Sequence, residues 1–161
     1  MTWLFSSDDS GVRLGQRLLL AAVFFPHGAQ KLLGWFGGYG YVGTMRFFAE
    51  TAHLPWLVAF LVVCIESFGP IALALGLLAR PAALGVVALM VGAVLTTHLS
   101  NGFFMNWFGD QKGEGFEYHL LVIALALPVV VLGAGRASLD GAIARWLTAS
   151  QRRAPAAQRI A

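Results

Sequence analysis

Four stretches of this chain are long, apolar and nearly free of charge, and they limit what it can fold into. They cover residues 12–33, 54–78, 82–99 and 118–135. A hydrocarbon core of ~30 Å takes ~20 helical residues to cross, with a range of ~17–25, and each stretch fits. Inside lipid the backbone must satisfy its own hydrogen bonds, so each stretch is expected to be a helix. Composition agrees. The chain is 58% hydrophobic and 12% charged, against roughly 45–50% and 25% for soluble domains, and its mean hydropathy is +0.71. The expected fold is all-α: one integral-membrane domain over residues 1–161, built as a four-helix bundle.

The first stretch has Arg13 and Arg17 ahead of "LLLAAVFF", as a signal peptide would. "PHGAQK" follows without a small-x-small cleavage signature, so the stretch reads as a retained helix. Cys64 is the single cysteine, and no CxxC exists. That excludes a self-contained dithiol mechanism and leaves Cys64 as a small packing hydrophobe. The net charge is +3, with no RNA- or DNA-binding motif. Arg13, Arg17, Arg80, Arg136, Arg145, Arg152, Arg153 and Arg159 fall on one side of the expected spans, and Lys31, Arg46 and Lys112 on the other. The bias of basic residues puts both termini in the cytoplasm of a bacterial inner membrane and the two longer loops outside.

Those loops are aromatic. One carries Trp35, Phe36, Tyr39, Tyr41, Phe47, Phe48 and Trp56, and the other Phe103, Phe104, Trp107 and Phe108. Such rings prefer the headgroup level, so both loops are expected on or in the membrane surface. Residues 44–53 suit a short interfacial helix, with Pro55 in the first turn of the helix that follows. In the tail, Leu139, Ile143, Trp146 and Leu147 share one helical face behind a Ser138 cap. This predicts a C-terminal amphipathic interfacial helix over 138–150, then a tail over 151–161 whose "APAAQRIA" end is frayed. Ala72 and Gly76, and Ala88 and Gly92, have the spacing of closely packed helices.

Ionisable groups within spans are expensive and mark candidate sites. Glu66 lies twelve residues beyond Leu54, roughly 18 Å in at 1.5 Å per residue, near the midplane. Pro70 removes the amide that would bond the Glu66 carbonyl, and Pro26 and Pro128 open two other helices the same way. His27 and Lys31 share a face of the first helix, where Lys31 can also snorkel to the surface. His98 ends the third helix, while Glu117 and His119 begin the fourth. His53 precedes the second. All four histidines therefore fall toward the outer leaflet. Read structurally, these are interfacial hydrogen-bonders, with Glu114 and Glu117 facing a helix dipole.

A quinone fits the candidate set of His27, Lys31, Glu66, His98, Glu117, His119 and Trp107. Its carbonyls want hydrogen-bond donors, its ring wants flat apolar walls, and its redox chemistry exchanges protons. Glu66, His98 and Glu117 are the candidates for that proton work. A metal held by His27, His98 and His119 is a weaker alternative, because no HExxH or paired-histidine spacing exists. Haem between His27 and His98 is weaker still.

Taken together, "FFPHGAQKLLGWFGG", "IESFGPIALALGLLARPAALG", "HLSNGFFMNWFGDQKGEGFEYHLL" and "GAGRASLD" resemble the DoxX family of small bacterial membrane proteins. The motifs cover most of residues 13–141 in order. The resemblance implies a four-helix inner-membrane protein with both termini cytoplasmic. It also implies a link to quinone-dependent sulfur, thiol and oxidative-stress redox metabolism. It singles out His27, Gly28, Lys31, Glu66, Gly76, Arg80, His98, Gly102, Glu117 and Tyr118, without assigning them catalytic roles, and implies that Glu117 rather than His119 points into the bundle toward His27 and His98. Two readings follow. One is an oxidoreductase subunit that binds quinone and works with a soluble or membrane redox partner. The other is a membrane scaffold or assembly factor that recruits such a partner. Homo-oligomers are compatible with both. Solute transport ranks last, for want of an inverted repeat.

Overall fold

The computed structural model describes residues 2–153. Among them every regular element is helical: α1 (Thr2–Phe5), α2 (Gly11–Leu33), α3 (Gly40–Glu50), α4 (Trp56–Leu75), α5 (Ala79–Ala93), α6 (Glu117–Leu132) and α7 (Leu139–Arg153). α5 continues through a π-helical turn, Val94–His98, and a 3-10 turn, Leu99–Asn101. The chain is all-α, as expected. α2 packs on α4, α4 on α5, α5 on α6, and α6 back on α2, while α3 lies against α2 and α4, and α7 against α1.

Local chemistry sets the boundaries. The Ser10 hydroxyl accepts the Arg13 amide (3.4 Å) and opens α2, and Gly34 closes it at φ 75°. Pro55 caps α4 from outside its first turn, and Gly76 ends that helix at φ 61°, so α4 is shorter at both ends than the apolar run. α6 likewise stops before Gly133, at φ 90°, earlier than the expected 135. The short helix expected over 44–53 is shifted to Gly40–Glu50. The amphipathic helix starts one residue past Ser138, whose hydroxyl accepts the Gly141 amide (3.2 Å), and it runs on to Arg153. The expected frayed segment 154–161 lies outside the described residues. α1 has too few residues to show a helical period. Its Trp3 ring instead lies 4.4 Å from the Arg80 guanidinium.

Two helices are long and apolar enough to cross a membrane, Trp56–Leu75 and Ala79–Asn101. α6 is apolar but has 16 residues, about 24 Å of helix. α2 has 23 residues but carries Arg13, Arg17 and Lys31. The packing between helices is tight and built from small groups: Ala79, Ala83 and Ala126 are fully buried beside Leu20, Phe24, Val86 and Val122. Leu19, Phe25, Leu57, Leu61, Phe68, Ile71, Leu84, Leu95 and Leu121 face outward. A soluble monomer rarely exposes a continuous apolar surface beyond a few hundred Å².

Candidate functional site

α2 and α4 run antiparallel, in a register fixed by two contacts. Arg17 meets Leu73 and Ala74, and Gly28 meets Glu66 and Ser67. Side chains on a helix lean toward its N-terminus. On antiparallel helices, Lys31 therefore leans back along α2 while Glu66 leans the opposite way to meet it. The two form an ion pair, with the Glu66 side chain 8% exposed and that of Lys31 23%. Lys31 thus turns into the helical core and does not snorkel. Glu66 Oε2, the atom facing the ammonium, makes no other hydrogen bond. The Ser67 hydroxyl donates to the Gly28 carbonyl (3.4 Å).

His98 and His119 form a second cluster. The π-helical turn of α5 carries His98 to within 4.2 Å of His119, centroid to centroid, with the rings tilted by 44°. His98 Nδ1 lies 2.9 Å from the Glu114 carbonyl. A carbonyl only accepts, so this bond places a proton on Nδ1 and leaves Nε2 as the basic nitrogen. His119 is buried, and its Nδ1 has no hydrogen-bond partner.

The acids beside this pair serve the loop. Glu117 Oε2 accepts the Met105 amide (3.1 Å), and Glu114 Oε2 accepts the Asn106 amide (2.7 Å). The expected orientation of the α6 pair is therefore reversed: His119 points inward and Glu117 ties down the loop. His27 is exposed and its ring faces Phe24. His53 is exposed at φ 52°. Trp107 is 79% exposed, out on the loop. Among the described residues, no group of three or more His, Cys, Asp or Glu side chains is placed to hold a metal ion.

The arginine-rich end holds what the sequence reading missed. Arg17 is 1% exposed. Its Nε donates to Ala134 (3.0 Å), Nη1 to Leu73 (2.8 Å) and Ala74 (2.6 Å), and Nη2 to Arg136 (3.0 Å) and Ala137 (2.6 Å), all at carbonyl oxygens. All five donors of the guanidinium are used. Arg80 does similar work for α6, donating to Val130 (2.8 Å) and to Val131. Asp140 accepts the Leu78 (2.8 Å) and Ala79 (2.9 Å) amides at the start of α5. Cations thus close two C-terminal helix ends and an anion closes an N-terminal one, each from another helix, as the dipoles require.

A sequence model of the family described as DoxX matches residues 12–99, just over half of the chain. The chain belongs to the DoxX family. It is also 28% identical, over 111 residues, to a Bacillus subtilis (strain 168) protein named "Putative oxidoreductase CatD". That alignment covers 69% of this chain and 72% of the relative. No solved structure matches significantly. The DoxX match takes in Arg17, Gly28, Lys31, Glu66, Arg80 and His98, and stops before Glu117, His119 and Asp140.

Proposed function

We propose that this DoxX protein is a quinone-linked oxidoreductase subunit of the bacterial inner membrane. In this reading α2, α4, α5 and α6 all cross, and both termini are cytoplasmic. The observation that carries the reading is the buried Lys31–Glu66 pair. A buried ion pair contributes little net stability, because desolvation offsets the attraction. In an apolar helical core such a pair marks a functional site. The family membership and the oxidoreductase name of the Bacillus relative support redox chemistry.

The Lys31 ammonium donates a hydrogen bond to one quinone carbonyl, and Glu66 exchanges protons with the ring oxygens. Cys64 is the single cysteine, so a dithiol must come from a partner protein or a substrate. Two S–H bonds break and one S–S bond forms. The two electrons pass to the quinone and the two thiol protons are released to water at the outer end; the ring takes up two protons in turn and becomes quinol. The test is to purify the protein in mild detergent and extract its bound small molecules. About one quinone per chain is expected, and its loss in Glu66→Gln. A quinone-free protein that still captures a redox partner would establish the scaffold reading instead.

A further inference from the structure

We infer that His119 and His98 pass protons between the Lys31–Glu66 site and the outer-end loop, an inference that rests on the quinone reading. Reduction of the ring takes up two protons, and an apolar helical core supplies none. His119 stands in the first turn of α6, the helix packed on both α2 and α5; it is 6% exposed and its Nδ1 makes no hydrogen bond. Its ring lies 4.2 Å from that of His98, which is half-buried and reaches the Glu114 carbonyl on the exposed loop.

Each neighbouring group is otherwise engaged or faces elsewhere. From the loop and the start of α6, the Glu114 and Glu117 carboxylates hold the Asn106 and Met105 amides, and Asn101 donates to the Glu114 carbonyl (3.1 Å). From α6, the Tyr118 ring lies 5.8 Å from that of His119. From α2 and α4, Lys31 and Glu66 are paired with each other, and His27 faces outward. Among the described residues no carboxylate forms an ion pair with either ring. The two imidazoles are therefore free to hand on a proton, with the Glu114 carbonyl orienting His98 as a backbone acceptor orients a working histidine.

The test uses full-length protein in phosphatidylcholine nanodiscs loaded with a short-chain benzoquinone. An electrode supplies two electrons per ring, and a pH dye follows the uptake of two protons. His119→Asn and His98→Asn are expected to slow uptake about tenfold or more per bound quinone; asparagine can still donate to the Glu114 carbonyl but cannot relay. If His119→Asn fails to fold, the half-buried His98 variant carries the test. Unchanged uptake with quinone retained overturns the relay alone. A wild-type protein that retains no quinone overturns the quinone reading, and the relay with it.

Discussion

Gly28 lies against the carbonyl of Glu66. A Cβ on Gly28 would come 2.1 Å from that oxygen and 2.7 Å from Ser67 Cα, both backbone atoms. Pro70 explains why the oxygen is available, since it lacks the amide that would bond it. Gly28, with no side chain, lets α2 come up against that oxygen. The ion pair depends on this approach, because Lys31 is one turn along α2 from the same contact.

Gly28→Ala separates two opposing effects. In an unpacked helix interior the change stabilises by roughly 1 kcal/mol. Here the new methyl forces α2 off α4, and overpacking costs about 1–3 kcal/mol or more. The variant should melt lower in detergent. A variant that melts higher would show that the helices are not this close.

The Lys31–Glu66 pair predicts strong coupling. Removing one partner of a buried pair leaves a charge unpaired, at a cost of about 3–5 kcal/mol. Lys31 is partly exposed, so Glu66→Gln should fall at or below the low end of that range. Lys31→Met, which strands the more buried carboxylate, should cost more. The double variant Lys31→Met with Glu66→Met should recover most of the loss. Additive losses in a denaturation cycle would mean the two side chains act separately.

Much of this was legible in the sequence. Run length and apolar composition located α2, α4, α5 and α6, because each is long, apolar and bounded by polar or glycine-containing segments. Glu66 stood out as an acid in an apolar run. The orientation of Lys31 did not, because snorkelling and pairing give the same spacing, and only the register of α2 on α4 chooses between them. Glu117 was preferred over His119 on resemblance. The deciding contact, a loop amide on the Glu117 carboxylate, lies twelve residues back in the chain and has no periodic signature. Arg17 counted only as a charge, whereas its five carbonyl partners lie 56–120 residues away.

Arg17→Lys tests that carbonyl cage. Lysine keeps the charge but offers three donors on a point cation instead of five in a fixed fork. At least two buried carbonyls lose their partner, at about 1–3 kcal/mol each. A loss of roughly 3 kcal/mol or more is expected. Arg46→Lys, in the exposed Arg46–Glu50 pair, should cost less than about 0.5 kcal/mol. Equal effects in parallel melts would show that Arg17 contributes only charge.

Acid sensitivity should appear at the arginine-rich end through Asp9 and Arg136. Arg136 Nε donates to Asp9 Oδ1 (3.1 Å) and Nη2 to Oδ2 (3.0 Å), tying the segment before α2 to the loop before α7. The Arg136 hydrogen bonds, and then its charge, hold the Asp9 carboxyl below the usual carboxylate range. A depressed folded-state value means the contribution is complete above the unfolded value of about 3.9. It is lost as pH falls through the lower folded value. Both side chains are exposed, so the effect is small and screened by salt. Asp9→Asn should therefore melt slightly lower than the parent at neutral pH in low salt, and the gap should close in strong acid. A gap that persists when Asp9 is protonated would mean that the asparagine disturbs packing, not the ion pair.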